Sequence, residues 1–499
     1  MVNQELLDYI KQQLQQGVSQ EQIRQSLIAN GWQVQDINEA FALLQVNIKP
    51  KKRRFRKFIK VILIVLGSLI GLIILINFLP YVFGLITKDI AQPNVDDLKL
   101  KTINIPQEDN AYYDLLAFIS FSYAEPTVTI YDPGKFETMA NHINGKEWDE
   151  KFVEEIIAKN SEAFAVFDRA SRKPKYQDPE IDSPDKISPI KAASSLNFLR
   201  GMARVDAIRA LYLFKQGREN EGIDEAIKII DLGQKIQDSQ ITFTEYLVSV
   251  AIKKIGFDVL TTMIEKTALP SDKLISYIKE IDYFKNDKNG LATAFKSEYA
   301  NVEESVDMIL IGIQEFERPK LSGKNILWNL LDRKGNNFYF RPNKTKQLFA
   351  DWARTQIAAL DKSCSFLKNG KDEELSSPSI IKLYFTENAV GKLLFNKVAA
   401  SLDTVVYKRC YEELQVAANQ LLLAIKAYKF DNGNYPTSLN ALVPHYISVI
   451  PSDPFSDGQI RYLASKKIIY SVGEDGVDSG GSDGNDWQEM SDPTFKINF

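Results

Sequence analysis

Histidine and cysteine are nearly missing from this 499-residue chain: His142, His445, Cys364 and Cys410 are all it has. With so few, no HExxH or CxxC arrangement exists, which removes the commonest zinc and dithiol readings. No Gly-rich phosphate loop ending in Lys-Ser/Thr is present. His142, in NHING, and His445, in VPHYI, read as turn or packing residues. Catalysis would fall to carboxylates of the glycosidase kind, and nothing in the sequence selects a pair. Cys364 and Cys410 leave two readings open, a disulfide or two unrelated small core residues, because sequence does not show whether they lie within bonding distance.

Charge of a single sign is scarce too, with one exception. Residues 1–60 hold ten Lys/Arg against five Asp/Glu, in a chain whose net charge is −4. The excess comes from KPKKRRFRKFIK, residues 49–60, a basic juxtamembrane segment followed at once by VILIVLGSLIGLIILINFL. Residues 61–79 carry no charge, and only Ser68 and Asn77 are polar, a length that matches the ~20 apolar residues a membrane crossing needs. The expectation is one transmembrane helix over 61–86, anchored in the lipid bilayer. Positive-inside bias then places the N-terminus in the cytoplasm and the bulk outside, a single-pass cell-membrane protein. The basic run beside lipid headgroups argues against a nucleic-acid partner.

Residues 1–48 read as a cytoplasmic three-helix module. Leu6, Leu7, Ile10 and Leu14 share a helical face that stops at Gly17, and Ser19 with Gln22 forms a capping box for the next helix. The module resembles the ubiquitin-associated type and also short bacterial oligomerisation motifs, which suggests a protein partner on that side rather than a mere folding unit. Residues 88–410 read as a mainly helical extracytoplasmic domain. Its SLNFLRGMARVDAIRALYLFKQG and RENEGIDEAIKIIDLGQKI resemble one tetratricopeptide helix pair, but no repeat follows, so the domain is irregular. RPKLSGKNILWNLLDRKGNNFYFRPNKTK interrupts the helices with Trp328, Phe338, Tyr339 and Phe340, which either fold back onto the helices or mark a partner surface.

The last fifth is the most informative. Leu414, Ala418, Leu421, Ile425 and Tyr428 are spaced as one face of a long helix, which DNGNYP ends because Gly433 can cap it and Pro436 cannot continue it. IPSDPF follows, then QIRYLA and KKIIYSVG as a hairpin, then GEDGVDSGGSDGNDW, where five carboxylates and five glycines fall within residues 470–487. In this order GNYPTSLNALVP, IPSDPF and YSVGEDGVDSGG resemble the globular part of the major pseudopilin of type II secretion, over residues 411–499. The resemblance implies an α+β module, a long helix plus a small antiparallel sheet, whose late acidic loop binds Ca2+ as a structural ion. Hard calcium takes six to eight oxygens, and packed carboxylates would otherwise repel one another. Asp475, Asp478, Asp483 and Asp486 are the side-chain ligand candidates, with Ser471, Ser479 and Ser482 behind them. A pseudopilin carries its apolar segment at the start of the same helix, after a Gly and with a Glu a few positions in. KFIKVILIV has neither and lies far upstream, so the module is expected as a cap on a helical body.

The fold class expected is therefore mainly α: a small helical bundle, one transmembrane helix, an irregular helical ectodomain and a pilin-like α+β end. The function expected is a membrane-anchored binding or structural protein with protein partners on both sides of the membrane, beside a secretion or pilus-like system. The alternative is a membrane-anchored, carboxylate-dependent hydrolase of cell-wall or extracellular polymer.

Overall fold

The computed structural model of the chain describes residues 3–45, 52–101, 103–118, 128–131, 136–178, 189–285, 288–315, 338–362, 364, 386–482 and 491–499. Asp483, Asp486 and Trp328, singled out above, lie outside them. The chain divides into two compact units, Met1–Val82 and Phe83–Phe499.

In the first unit, α1 (Gln4–Gln15), α2 (Gln20–Ala29) and α3 (Val34–Gln45) bury Leu6, Ile10, Ile23, Leu27, Ile37, Ala40 and Phe41 in a core of their own. Ser19 and Gln22 satisfy each other's backbone N–H at the start of α2, the reciprocal arrangement that holds an N-terminus closed. Helix α4 spans Lys52–Ile86. Here the membrane expectation is corrected: among the described residues no helix is long and apolar enough to cross a membrane. The transmembrane helix at 61–86, the single-pass anchoring and the cytoplasmic and extracytoplasmic placements built on it fall together.

Among the described residues the second unit is helical, with one small sheet. Helices α5 (Ala111–Leu115), α6 (Phe136–Ile143), α7 (Glu150–Lys159) and α8 (Ser161–Arg172) lead into α9 (Pro189–Lys215), α10 (Glu219–Gln237) and α11 (Phe243–Lys266). The last two pack closely because small residues face each other. A Cβ added at Gly256 would lie 2.6 Å from Ile230 and 3.1 Å from the Ala226 carbonyl. Helices α12 (Ser271–Ile281), α13 (Lys288–Glu315) and α14 (Pro342–Ala359) follow, then α15 (Ala389–Asn432), 44 residues and about 66 Å long. Val390 near its start joins Val302, Phe349, Tyr339 and Phe340 in a secondary core. The latter two aromatics are thus folded back, at 1% and 7% exposure.

Strands β1 (Arg461–Leu463), β2 (Ile468–Tyr470) and β3 (Thr494–Lys496) form an antiparallel sheet in that order, with Tyr462 opposite Ile469 and Ile469 opposite Phe495. Sheet residues Ile469 and Phe495, with Ile497 just after β3, share one continuous core with Leu414, Leu421 and Ile425 of α15 and with α9, α10, α11 and α12. Residues 88–410 and 411–499 therefore belong to one compact unit.

Candidate metal centre in the acidic loop

The loop after β2 is organised by a residue from the preceding linker. Asp453, in PSDPF, is fully buried. Its Oδ1 accepts from the Ser471 hydroxyl (2.6 Å) and the Phe455 N–H (3.0 Å), and its Oδ2 from the Val472 N–H (3.1 Å) and Arg461 Nη1 (3.0 Å). Four donors on one carboxylate are what lets a charge stay buried. They pin the linker to the end of β2 and to β1. Gly473 then turns the chain at φ 64°, where a Cβ would lie 2.0 Å from the Ser491 carbonyl oxygen, so only glycine fits.

Beyond that turn the sequence-derived ligands separate. Asp475 is exposed, and its Oδ1 accepts from the Val477 N–H at 2.9 Å. Asp478 accepts from Arg461 Nε (2.8 Å), the Tyr470 hydroxyl (3.1 Å) and the Gly480 N–H (3.0 Å). Burial pulls its carboxyl upward, but those three donors outweigh it and hold the group below the usual carboxylate range. Of the lesser candidates, Ser471 is committed to Asp453, and the Ser482 hydroxyl lies 2.9 Å from that of Ser491.

Asp492 lies outside the sequence-derived set. It is fully buried, its Oδ2 accepts from the Ser479 and Gly481 N–H groups at 2.9 Å each, and among the described residues its Oδ1 has no hydrogen-bond partner. Such an oxygen faces a penalty of about 1–3 kcal/mol unless something binds it. Among the described residues no group of three or more His, Cys, Asp or Glu side chains stands ready to hold a metal ion. The donor chemistry nonetheless suits a hard cation: one orphaned carboxylate oxygen at the foot of a glycine-rich, carboxylate-rich loop. Asp453 and Asp492 were missed because neither lies in the dense acidic stretch. The legible signal for Asp453 was an Asp two residues before the N–H it binds, flanked by prolines, the mark of an Asx turn.

Other polar clusters are built differently. His142 is buried, with Nδ1 2.8 Å from the Thr138 carbonyl and Nε2 accepting from the Asp149 N–H at 2.9 Å, which makes it a helix-end fastener. His445 is exposed beside Tyr446. Arg209 stacks on Phe164 and is ringed by Asp168, Asp206 and Glu225. Burial pushes the Asp206 carboxyl well up, with Arg209 opposing and Glu225 and Asp168 reinforcing. An open hollow of about 500 Å³ between α10 and α12 is lined by Asp224, Asp231, Glu280, Lys228, Lys279 and Tyr283. Of its lining carboxylates, Asp231 pairs with Lys235 (2.6 Å), and Asp224 accepts from the Tyr277 hydroxyl (2.9 Å). Burial, then Asp224, raises the Glu280 carboxyl.

Cys364 and Cys410 are joined in a disulfide, Cα atoms 6.2 Å apart. Beside it the Cys364 N–H donates to the Pro454 carbonyl (3.3 Å), so the bond adjoins the linker that Asp453 organises.

No protein-family model, curated protein or solved structure matches this chain.

Proposed function

We propose that this chain is a binding or structural protein in which residues 411–499, a pseudopilin-like module, are held closed by a calcium ion in the acidic loop and displayed on the helical body. The observation that carries the reading is the Oδ1 of Asp492, which has no hydrogen-bond partner among the described residues and is buried where the loop returns to the sheet. Asp492, with Asp475, Asp478 and the two aspartates outside the described residues, Asp483 and Asp486, would hold the ion. Calcium would supply charge neutralisation and a fixed point for the loop, while Asp453 and Arg461 keep the linker and β1 in place without it. The module's partners would be proteins of a secretion or pilus-like system.

Ion binding would stabilise the folded form by RT ln(1 + [L]/Kd), ~2.7 kcal/mol at a hundred times Kd. Thermal melting of the full chain with calcium and then with chelator tests this, beside Asp492→Asn and the double variant Asp475→Ala, Asp483→Ala. A calcium-dependent rise lost in both variants supports the reading, and a calcium-insensitive parent overturns it. The hydrolase reading retains one observation, the raised Glu280 carboxyl beside Asp224. Release of reducing ends from cell-wall polymer by the parent but not by Glu280→Gln would favour it, and no release would retire it.

A further inference from the structure

A cationic cluster gathers where the end of α15 meets the β1–β2 turn and Phe499. Lys426 and Lys429 come from the last turns of α15, and Lys467 from the β1–β2 turn. Lys429 Nζ and Lys467 Nζ both sit over the Tyr435 ring, 4.5 and 4.9 Å from its centre, and Lys426 Nζ lies 4.5 Å from the centre of the Phe499 ring. The two rings are 6.2 Å apart, so three ammonium groups gather about one aromatic pair.

Their hydrogen bonds go to neutral oxygens. Lys426 donates to the Glu265 carbonyl (3.0 Å) and Lys429 to the Tyr435 hydroxyl (3.2 Å). The Glu265 carboxylate is itself bound by Asn498 (2.9 Å). Among the described residues no carboxylate lies within ion-pair distance of any of the three lysines, in a chain with 65 acidic residues against 61 basic ones. Half-burial and then the neighbouring charge of Lys429 push the Lys426 ammonium down to about 8, against the opposing pull of Glu219 and Glu265.

A second observation is independent of charge. Lys467 holds φ 49°, in the left-handed region that disfavours every residue with a Cβ. Glycine or asparagine would take this turn with less strain, yet a lysine stands there with its ammonium over Tyr435. Strain kept at a position that delivers a charge to a cluster of unpaired like charges points to a use for that charge.

We infer that Lys426, Lys429 and Lys467, gathered about Tyr435 and Phe499, form a binding site for a multivalent oxyanion, a phosphate or a carboxylate cluster. Three ammoniums with no carboxylate within ion-pair distance can neutralise more than one negative charge, and the ring faces fix their spacing. The anion can arrive free or as part of an anionic polymer.

Titration of the full chain with inorganic pyrophosphate and, separately, with polygalacturonate, followed by calorimetry at low and at physiological salt, tests the inference. The expected result is binding that weakens with salt and falls at least tenfold in the triple variant Lys426→Gln, Lys429→Gln, Lys467→Gln. Tighter binding of the polymer than of pyrophosphate assigns the anion to a polymer, and the reverse to a free ligand. Lys467→Gly keeps the test independent of folding: its melting temperature should hold or rise as the turn relaxes, while affinity drops several-fold. No binding of either probe, binding that survives the triple variant, or a Lys467→Gly protein that melts lower with unchanged affinity would each overturn the site.

Discussion

Replacing Asp453 by Asn tests the organisation of the C-terminal loop at one atom. The amide keeps one acceptor oxygen, so the Ser471 hydroxyl and Phe455 N–H can remain bound. The other oxygen becomes an NH2 group that meets two donors, the Val472 N–H and Arg461 Nη1. Leaving the buried Val472 N–H unpaired costs about 1–3 kcal/mol. The Arg461 pair contributes less than a fully buried one, because its side chain is 29% exposed, and about 1 kcal/mol is the discounted figure. The sum, about 2–4 kcal/mol, is local to the junction of linker, β1 and β2. Hydrogen exchange of the full chain reads it directly: the Val472 amide and its neighbours in β2 should exchange roughly 30- to 1000-fold faster at an opening energy lowered by that amount, while α10 and α11 are unchanged. Exchange at Val472 within threefold of the parent would refute the claim that this carboxylate clamps the loop.

Three further perturbations have signs set by the fold. Glu245 caps α11 from a buried position, its Oε2 accepting from the Thr242 N–H and hydroxyl, and burial, opposed by those bonds, raises its carboxyl to about 7. A raised folded value means stability present below ~4.5 and lost as pH climbs toward 7, so Glu245→Gln, which retains the cap, should gain about 3 kcal/mol on the parent across that window in urea titrations. Gly256→Ala drives a methyl against Ile230 and should lower stability by about 1–3 kcal/mol, whereas an unchanged melting temperature would mean that α10 and α11 are free to separate. Reducing the Cys364–Cys410 bond, which spans a sequence separation of 46, should lower stability by up to about 4 kcal/mol, seen as an earlier melt with reductant that Cys410→Ala makes insensitive.

Much of the local structure was legible because its signals are short-range. The capping box at Ser19, the end of α15 before Gly433 and the pairing of β1 with β2 each depend on residues within a few positions, where propensity and turn chemistry act. The three-residue strand β3 was not, since Thr494–Lys496 lacks the length for a periodic signal and becomes a strand only by pairing with β2. Asp453 and Asp492 were missed for a similar reason. What makes them central is the set of donors folded around them, up to 19 residues away in sequence, and not the composition beside them.

The boundary drawn at residue 411 is the most instructive case, because the pattern suggesting a separate module begins in the middle of a continuous helix. Glu412, the second residue beyond that line, is only 4% exposed. Its carboxylate accepts from the Gln237 amide (2.6 Å) and the Tyr246 hydroxyl (3.0 Å), and lies 3.2 Å from Lys253 Nζ. Lys253, 1% exposed, is further held by Gln234 (2.7 Å), Gln237 (2.9 Å) and the Phe284 carbonyl (3.3 Å). These partners come from α10, α11 and the turn after α12, so helical periodicity could not reveal them. Removing one member of such a buried pair costs about 3–5 kcal/mol, since the charge left behind has no water to turn to. A chain cut at 411 would strand Lys253 in the helical body and expose the core face of Leu414, Leu421 and Ile425 on the excised piece. Whatever the C-terminal sheet and its loop bind, they bind as part of the body that α15 joins to them.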